Sequence, residues 1–217
     1  VFFANGNILY PEDISRCLNE IHCDAVMSAE GNLYNPGVFN TEFTENIDKI
    51  FPRVDKILRE YFEIVKECKG SHASRIAMKS HFFKILRPFL ANHTDIRTNL
   101  ASMSAKTSFE VWEEKVVKPV ENVVEEIFEQ SDIKDKDQVV TGDIQLWGGA
   151  YKTVPYWRCQ PYFRPVNGIT ADKRVVESLK AKQAEAEAES GGDSVEIQSK
   201  RKAEESLEAT KDKELKV

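Results

Sequence analysis

Val1-Phe2-Phe3-Ala4 and Ala25-Val26-Met27-Ser28 are two short apolar segments, and each runs directly into a turn rich in small and amide residues. The first turn is Asn5-Gly6-Asn7 and the second is Ala29-Glu30-Gly31-Asn32. Roughly twenty residues with the pattern of one amphipathic helix separate the segments, too many for a hairpin but enough for a parallel crossover. The sequence therefore predicts a strand-helix-strand unit whose two turns lie at the same, carboxyl end of a parallel sheet.

Paired turns of this kind are typical of a phosphate-binding site. Glycine lets backbone N–H groups approach an anion closely, and a following helix adds its positive end. In eight-stranded α/β barrels the phosphate site forms after strands seven and eight. From the residues alone, Asn5-Gly6-Asn7 is either a set of phosphate donors or a barrel loop that merely needs a tight turn. At Glu30 we expect the backbone N–H, with that of Gly31, to be the donor, because a carboxylate would repel a phosphate.

Four segments of the chain resemble one enzyme family. Ala4-Asn5-Gly6-Asn7-Ile8 and the segment from Val26 through Ala29-Glu30-Gly31-Asn32 to Pro36 are similar to the tRNA-dihydrouridine synthases, in particular to the eukaryotic subgroup that reduces uridines 16 and 17 of the tRNA D-loop. Lys79-Ser80-His81-Phe82-Phe83-Lys84 and the segment from Tyr156-Trp157-Arg158-Cys159 to Pro165 resemble the same subgroup. The resemblance extends over about residues 1 to 166.

This resemblance implies an oxidoreductase with flavin mononucleotide (FMN) bound across the mouth of a TIM (β/α)8 barrel. NADPH or NADH would reduce the flavin, which would then reduce a tRNA uridine to 5,6-dihydrouridine. The family's catalytic cysteine lies on an earlier barrel loop, so we expect no catalytic residue in this chain. The residues that the resemblance assigns to the FMN site are Asn5, Gly6, Asn7, Ala29, Glu30 and Gly31.

Length and composition limit the possible folds. The chain has 217 residues, of which 41% are hydrophobic, and a formal net charge of −6. Because its first residue already lies in a predicted strand and two strands cannot close a barrel of eight, we expect the carboxyl-terminal end of a barrel. No run of about 18 apolar residues occurs, which argues against a membrane-spanning segment.

The four cysteines are Cys17, Cys23, Cys68 and Cys159, scattered without a C-x-x-C pair or a histidine at ligand spacing. This pattern argues against a metal site and against a disulfide framework, and it indicates a reducing, intracellular setting. We expect a monomer located in the cytoplasm, the nucleus or both. Cys17 and Cys68 lie on apolar helix faces, where we expect them to be buried.

One segment has the opposite charge to the rest of the chain. Residues 71–106 hold six basic residues and one acid, Asp95, so the net charge of the segment is 6 − 1 = +5. Such a block indicates either an anionic partner or a solvated face. The family resemblance favours tRNA, and the residues that we assign to tRNA binding are Arg75, Lys79, Lys84 and Arg87. For His72, His81 and His93 an RNA contact, a helix cap and a packing role all stay open, and we expect none to be catalytic.

Helical periodicity replaces the strand pattern after residue 36. Apolar residues at three- and four-residue steps predict four antiparallel helices, over about 51–68, 74–89, 95–102 and 107–130. The second helix is expected to bury Ile76. The fourth helix opens with a predicted capping box, Thr107-Ser108-Phe109-Glu110, and we expect Pro119 to bend it.

The predicted fold class is α/β plus α, in three parts. Residues 1–45 are expected to be the last two strands and helices of an FMN-binding TIM barrel, and residues 46–166 a helical tRNA-binding domain with an irregular return segment from about residue 131. Residues 167–217 are expected to be a disordered polar tail. Two other interpretations stay open: another phosphate-binding barrel enzyme, and a non-enzymatic RNA-binding or scaffold protein that retains a barrel remnant.

Overall fold

The computed structural model describes residues 1–42, 45–68, 71–146 and 149–164, together with Glu177 and Lys180. Residues 1–162 form one compact unit and residues 163–217 a second one. The boundary predicted after residue 45 lies inside the first unit and stays a prediction. The predicted polar tail, residues 167–217, lies outside the described residues apart from two positions.

Strand β1 (Phe3–Asn5), helix α1 (Pro11–Ile21) and strand β2 (Ala25–Met27) form the predicted strand-helix-strand unit. The strands are parallel, with Phe3 opposite Ala25 and Asn5 opposite Met27. This confirms the prediction that both turns lie at one end of a parallel pair.

The start of α1 is fixed by one carboxylate. Asp13 accepts hydrogen bonds from the backbone N–H groups of Leu9 and Tyr10, both at 2.9 Å, and pairs with Arg16 at 2.8 Å. These bonds satisfy N–H groups ahead of the helix that have no acceptor within it. They also fix the path of the chain between the first turn and α1.

The second turn is the start of a helix rather than an open loop. Helix α2 (Glu30–Tyr34) is followed by a 3₁₀ turn (Pro36–Phe39) and by α3 (Ile47–Ile50). Asn35 is fully buried; its side-chain amide donates to the Ile50 carbonyl at 2.8 Å and its oxygen accepts the Gly37 N–H at 3.1 Å. Asn35 therefore fixes the end of α2 against the end of α3.

The helices predicted after residue 50 are present, with changed boundaries. They are α4 (Val54–Glu67), α5 (His72–Ile85), α6 (Phe89–Asn92), α7 (Thr94–Ser102), α8 (Phe109–Trp112), α9 (Lys118–Phe128) and α10 (Ile133–Lys136). A π-helical segment, Glu113–Val117, joins α8 to α9. The predicted helix 74–89 is two helices, since Pro88 has no N–H to continue α5, and the Arg87 N–H instead bonds the Lys84 carbonyl at 3.2 Å.

The core of the first unit lies among these helices. Helix α4 packs against α5 and α9, and the rings of Phe82 and Trp112 meet edge to face at 5.6 Å. The prediction that Ile76 is buried is wrong, because its side chain is 54% exposed and Met78 is fully buried instead. Each helical residue turns the chain by about 100°, so positions 76 and 78 face opposite sides of α5.

The cap of the 109–128 helix differs from the prediction, whereas the bend predicted at Pro119 stays a prediction. The cap is Ser108, whose Oγ accepts the Val111 N–H at 3.4 Å, while Thr107 Oγ1 accepts the Ser104 N–H instead. Pro119 lies just after the π-helical segment. Because Pro119 has no N–H, it cannot bond to the carbonyl of Lys115, and the Asn99 amide donates to that carbonyl at 3.3 Å.

The predicted irregular segment contains a hairpin, so this prediction is wrong over residues 140–153. Strands β3 (Val140–Leu146) and β4 (Gly149–Thr153) pair antiparallel, with Val140 opposite Thr153 and Leu146 opposite Gly149. Trp147 and Gly148, between the strands, lie outside the described residues. Beyond the hairpin the chain runs along the start of α4, where the Val54 N–H donates to the Trp157 carbonyl at 3.0 Å.

A buried arginine fixes this returning segment. Arg158 is 2% exposed and donates to Asp137 at 2.6 and 2.5 Å, to Asp48 at 2.8 Å and to the Phe51 carbonyl at 2.9 Å. Trp157 also donates to Asp137, at 2.7 Å. Burial would raise the pKa of Asp137, but the hydrogen bonds from Arg158 and Trp157 outweigh it, so this pKa is lowered.

The four cysteines are free thiols with different exposure. Cys23 and Cys159 are buried, Cys17 is half-buried and Cys68 is exposed, so the prediction of a buried Cys68 is wrong. Cys68 is the residue that follows the last residue of α4, beyond the stretch over which the apolar face of that helix is buried. In the part of the chain that the structure describes, no helix has both the length and the apolar composition to cross a membrane.

Candidate functional site

The two predicted turns lie against each other. Ser28 Oγ, which is buried, donates to the Ile8 carbonyl at 2.9 Å and so joins the segment after β2 to the segment after β1. A Cβ atom placed on Gly31 would stand 2.2 Å from that same carbonyl oxygen and 2.6 Å from Ser28 Oγ. The start of α2 therefore packs closely on Ile8, the residue after the first turn, and only glycine fits at position 31.

The first turn is open to solvent. Asn5, Gly6 and Asn7 are exposed, and a Cβ atom on Gly6 would meet no atom within 4 Å. Gly6 has φ +120° and Asn7 has φ 53°, in the region that glycine and asparagine adopt most readily. This backbone leaves space beside the turn in which an anion could approach its N–H groups and the two amide side chains.

The second turn contributes the first residues of α2. Glu30 and Gly31 occupy its first two positions, and the first N–H groups of any helix have no acceptor within that helix. Such groups are common anion ligands. However, position 31 requires glycine because of its packing on Ile8. A Cβ atom there would lie against the Ile8 carbonyl.

The residues assigned to FMN thus lie on two adjoining loops. Their amide side chains and backbone N–H groups are donors, as a phosphate monoester requires, and Glu30 supplies the one carboxylate among them. These loops fit the phosphate end of a flavin nucleotide. The assignment of Asn5, Gly6, Asn7, Ala29, Glu30 and Gly31 to the cofactor stays a prediction.

Two of the four residues assigned to tRNA have contacts inside the protein. Arg75 Nη2 donates to the Thr107 carbonyl at 2.5 Å, and its guanidinium lies 4.5 Å from the centre of the Phe109 ring. Lys79 Nζ donates to the carbonyls of Ala101 and Met103 at 2.6 and 2.8 Å. Both side chains join α5 to the chain that follows α7, and Lys79 satisfies carbonyls at the end of that helix.

The other two lie beside a pair of tyrosines. Lys84 Nζ is 5.5 Å from the ring centre of Tyr34, and the Arg87 guanidinium is 3.7 Å from that of Tyr162. The tyrosine rings are themselves 5.3 Å apart. Burial raises the pKa of Tyr34, and Arg87 opposes part of that rise. The structure therefore separates the predicted tRNA residues into two groups. Arg75 and Lys79 donate hydrogen bonds to backbone carbonyls of the protein, whereas Lys84 and Arg87 lie beside the tyrosines near the end of α2.

A cavity of about 240 Å³ lies between α2, α4 and α5. On its wall the hydroxyl of Tyr61 and Nδ1 of His81 are 2.7 Å apart. Burial lowers the pKa of His81, and the charge of Lys84 lowers it further. The lowered pKa favours the neutral ring, and His81 serves as a hydrogen-bond partner of Tyr61 in the wall of the cavity.

Three residues near the site were not predicted from the sequence: Ser28, Asn35 and Arg97. Ser28 and Asn35 lie inside a segment that resembles the family, and each is a buried polar residue that joins two loops. Arg97 lies in the basic segment and lines a groove with Arg87. Their positions follow from contacts between distant segments, which the pattern of neighbouring residues does not reveal.

Comparison with known proteins identifies the family. The family model described as Dihydrouridine synthase (Dus) matches residues 1–137. The tRNA-dihydrouridine(16/17) synthase of Saccharomyces cerevisiae, whose name specifies NAD(P)(+), is 74% identical over 179 residues, which are 82% of this chain and 42% of that protein. The protein of the same name from Schizosaccharomyces pombe is 38% identical over 181 residues, 80% of this chain and 43% of that protein.

A mouse protein named tRNA-dihydrouridine(16/17) synthase-like is 29% identical over 167 residues, 75% of this chain and 29% of that protein. No solved structure matches the chain significantly. The chain spans about two fifths of the length of the two yeast relatives. Because the family model covers more than half of its residues, the chain belongs to the dihydrouridine synthase family.

Proposed function

We propose that the protein is a tRNA-dihydrouridine synthase that reduces uridine to 5,6-dihydrouridine in the tRNA D-loop, at positions 16 and 17. The reductant is NADPH or NADH. The observation that carries this proposal is the pair of adjoining loops, joined by the 2.9 Å bond from Ser28 to Ile8, in a chain that is 74% identical to a relative of that name.

In this proposal the chain's own residues hold and position the cofactor phosphate. The side chains of Asn5 and Asn7 and the N–H groups of Gly6, Glu30 and Gly31 are its ligands. Ser28 and Asn35 fix the two loops relative to each other and to α3. Bound FMN would supply the hydride for the uridine ring, and the catalytic cysteine that the family resemblance implies, on an earlier barrel loop, would supply the proton. Cofactors provide such redox chemistry while the protein supplies orientation and electrostatics.

The fold of the family is a TIM barrel, and we assign β1, α1, β2 and α2 to its last two strand-helix units. The helices from about residue 46 to residue 166 then form a tRNA-binding domain, and residues 167–217 a polar tail. The net charge of +5 over residues 71–106 supports tRNA as the partner. A monomer without a resident metal, in the cytoplasm or the nucleus, completes the proposal.

A chimeric enzyme tests the reaction. The part of the S. cerevisiae relative that precedes the matching region is joined to this chain, and the product is incubated with unmodified tRNA and NADPH. Mass spectrometry of the D-loop fragment is expected to show dihydrouridine at positions 16 and 17. The intact yeast protein is the positive control.

Two outcomes would contradict the proposal in different ways. A flavin-loaded chimera that binds tRNA without reducing it favours a non-enzymatic RNA-binding or scaffold protein. A chimera that reduces uridines other than 16 and 17, where the yeast protein reduces both, would reject the assigned positions.

A further inference from the structure

A surface groove of about 320 Å³ lies between α5, α6 and α7. Arg87 and Arg97 line it together with the apolar residues Phe83, Leu90 and Ala91. We infer that this groove binds a phosphodiester of an RNA backbone between the two guanidinium groups. The inference rests on the proposed function and assigns Arg97, in addition to Arg87, to the tRNA interface.

Both arginines present exposed side chains. Among the described residues Arg97 has no ion-pair partner, and Arg87 has no carboxylate partner. The Arg87 guanidinium stacks on Tyr162 at 3.7 Å, which fixes its plane. A guanidinium stacked on a ring still has N–H groups along its edge, and these match the oxygens of a phosphate in a bidentate arrangement.

The rest of the basic segment has different roles in the protein. Arg75 and Lys79 are engaged by backbone carbonyls, so they contribute less to an external anion than their positions in the sequence suggest. Asp95, the single acid of the segment, does not line the groove. The cations that remain available on this face are therefore concentrated around Arg87 and Arg97.

Among the residues that line the groove, only the two arginines are charged. Leu90 is buried and Phe83 is half-buried, whereas both arginines are exposed. Their attraction for a phosphate is therefore that of solvent-exposed charges, which salt screens. The favoured occupant is RNA rather than an acidic protein, because two guanidinium forks on one groove suit a phosphate and because the yeast relatives are named for tRNA.

The test is tRNA binding by the 217-residue chain as a function of salt concentration, for wild type, Arg97→Gln, Arg87→Gln and Arg97→Lys. Each glutamine variant is expected to weaken binding about tenfold at moderate salt, as the loss of one charge-assisted contact would do. Each should also reduce the log–log salt slope by roughly 0.7 to 0.9, the value for one phosphate contact. Arg97→Lys should keep the slope and lose only part of the affinity.

Lys118→Gln is the matched control, because Lys118 is an exposed cation on α9 outside the segment; its affinity and slope should equal those of wild type. Thermal unfolding of every variant checks the fold.

Unchanged slopes for both glutamine variants would overturn the inference, and so would a wild-type chain that does not bind tRNA. Displacement of tRNA by polyglutamate at equal charge would indicate an acidic protein partner and overturn it too. The chimera assay reports on the proposed reaction separately.

Discussion

Gly31 has no Cβ atom, and this allows the two loops to pack closely on each other. Its α-carbon lies so close to the first turn that a Cβ atom would stand 2.2 Å from the Ile8 carbonyl oxygen. Neither the backbone carbonyl nor Ser28, which donates to it, can move without breaking their hydrogen bond. The spacing of the two loops therefore depends on this glycine.

Gly31→Ala is expected to destabilise the chain by about 1–3 kcal/mol, the usual cost of overpacking, and to weaken FMN binding by the chimera because the loops move apart. Thermal unfolding and flavin titration measure the two effects. Asn32→Ala, an exposed position on the same helix, is the control and should change neither. Equal stability of Gly31→Ala and wild type would show that the loops are not packed as described.

Arg158 and Asp137 form the most buried ion pair described in the chain, with further bonds from Arg158 to Asp48 and to the Phe51 carbonyl. The pKa of Asp137 in the folded protein lies below its ordinary value of 3.8. Near that value the unfolded chain binds more protons than the folded chain. The stability contributed by Asp137 is thus complete above pH 3.8 and is lost as the pH falls through the lower, folded value.

Asp137→Asn is expected to be less stable than wild type near neutral pH, by at most about 3–5 kcal/mol, since Arg158 loses its buried carboxylate partner and keeps only the exposed Asp48. The variant should lose less additional stability than wild type between about pH 5 and pH 3, because it has no carboxylate to protonate at this position. Urea unfolding at several pH values measures both effects. Glu114→Gln, at an exposed position of the π-helical segment, should follow wild type, and identical pH profiles for wild type and Asp137→Asn would contradict the assignment.

At the scale of elements, a lysine of one helix completes the end of another. Lys79 of α5 donates to two carbonyls at the end of α7, where no intrahelical donor remains. A cation at a helix carboxyl end also interacts favourably with the helix dipole. This internal role competes with the tRNA contact that the sequence predicts for the same residue.

Lys79→Ala is expected to lower the free energy of unfolding by about 1 kcal/mol, the net value of an exposed or partly exposed hydrogen-bonded contact, with little effect on the salt dependence of tRNA binding. Lys106→Ala, in the same basic segment but exposed, controls for the loss of one charge. If Lys79→Ala instead reduces the salt dependence of tRNA binding and leaves the stability unchanged, Lys79 contacts RNA as the sequence predicted.

The elements show what the sequence can predict. The parallel strands and four helical regions followed from local signals: apolar periodicity, turn residues and the length of the crossover. The hairpin β3–β4 was missed because its glycines, such as Gly142 and Gly149, indicate a loop, whereas pairing with the strand that follows decides its conformation. The Ile76 error has a similar origin, since periodicity shows that a helix is amphipathic but α4 decides which side of α5 is covered.

The candidate site divides in the same way. The positions of Asn5, Gly6 and Asn7 at the end of β1 followed from the strand pattern, and their assignment to the cofactor stays a prediction. The internal contacts of Arg75 and Lys79, and the groove at Arg87 and Arg97, depend on how α5 and α7 pack. A charge count over residues 71–106 cannot separate cations that bond to carbonyls from cations that face solvent.

At the scale of the whole molecule, the parallel strand pair and the residue before it have exposed apolar side chains, with Phe2 58%, Phe3 61% and Met27 50% exposed. Two strands provide loops for a phosphate, but a flavin ring system needs a larger apolar surface around it. We expect the 217-residue chain alone to lose FMN on gel filtration and the chimera to stay yellow. Visible absorbance of the eluted protein measures this, and stoichiometric flavin on the chain alone would contradict it.

The backbones of Arg53 and Arg158 pair in an isolated antiparallel β-bridge, and this pairing has a consequence for synthesis on the ribosome. The Cys159 N–H reaches the Pro52 carbonyl at 2.8 Å, so the first and last segments around the helical core meet only after about a hundred intervening residues have emerged. Contacts of such large sequence separation form late, because chain closure costs entropy before they stabilise anything. Until residue 159 has left the exit tunnel, the nascent helices lack the segment that covers the start of α4. During that time, a chaperone that binds exposed apolar surface would bind at the start of α4.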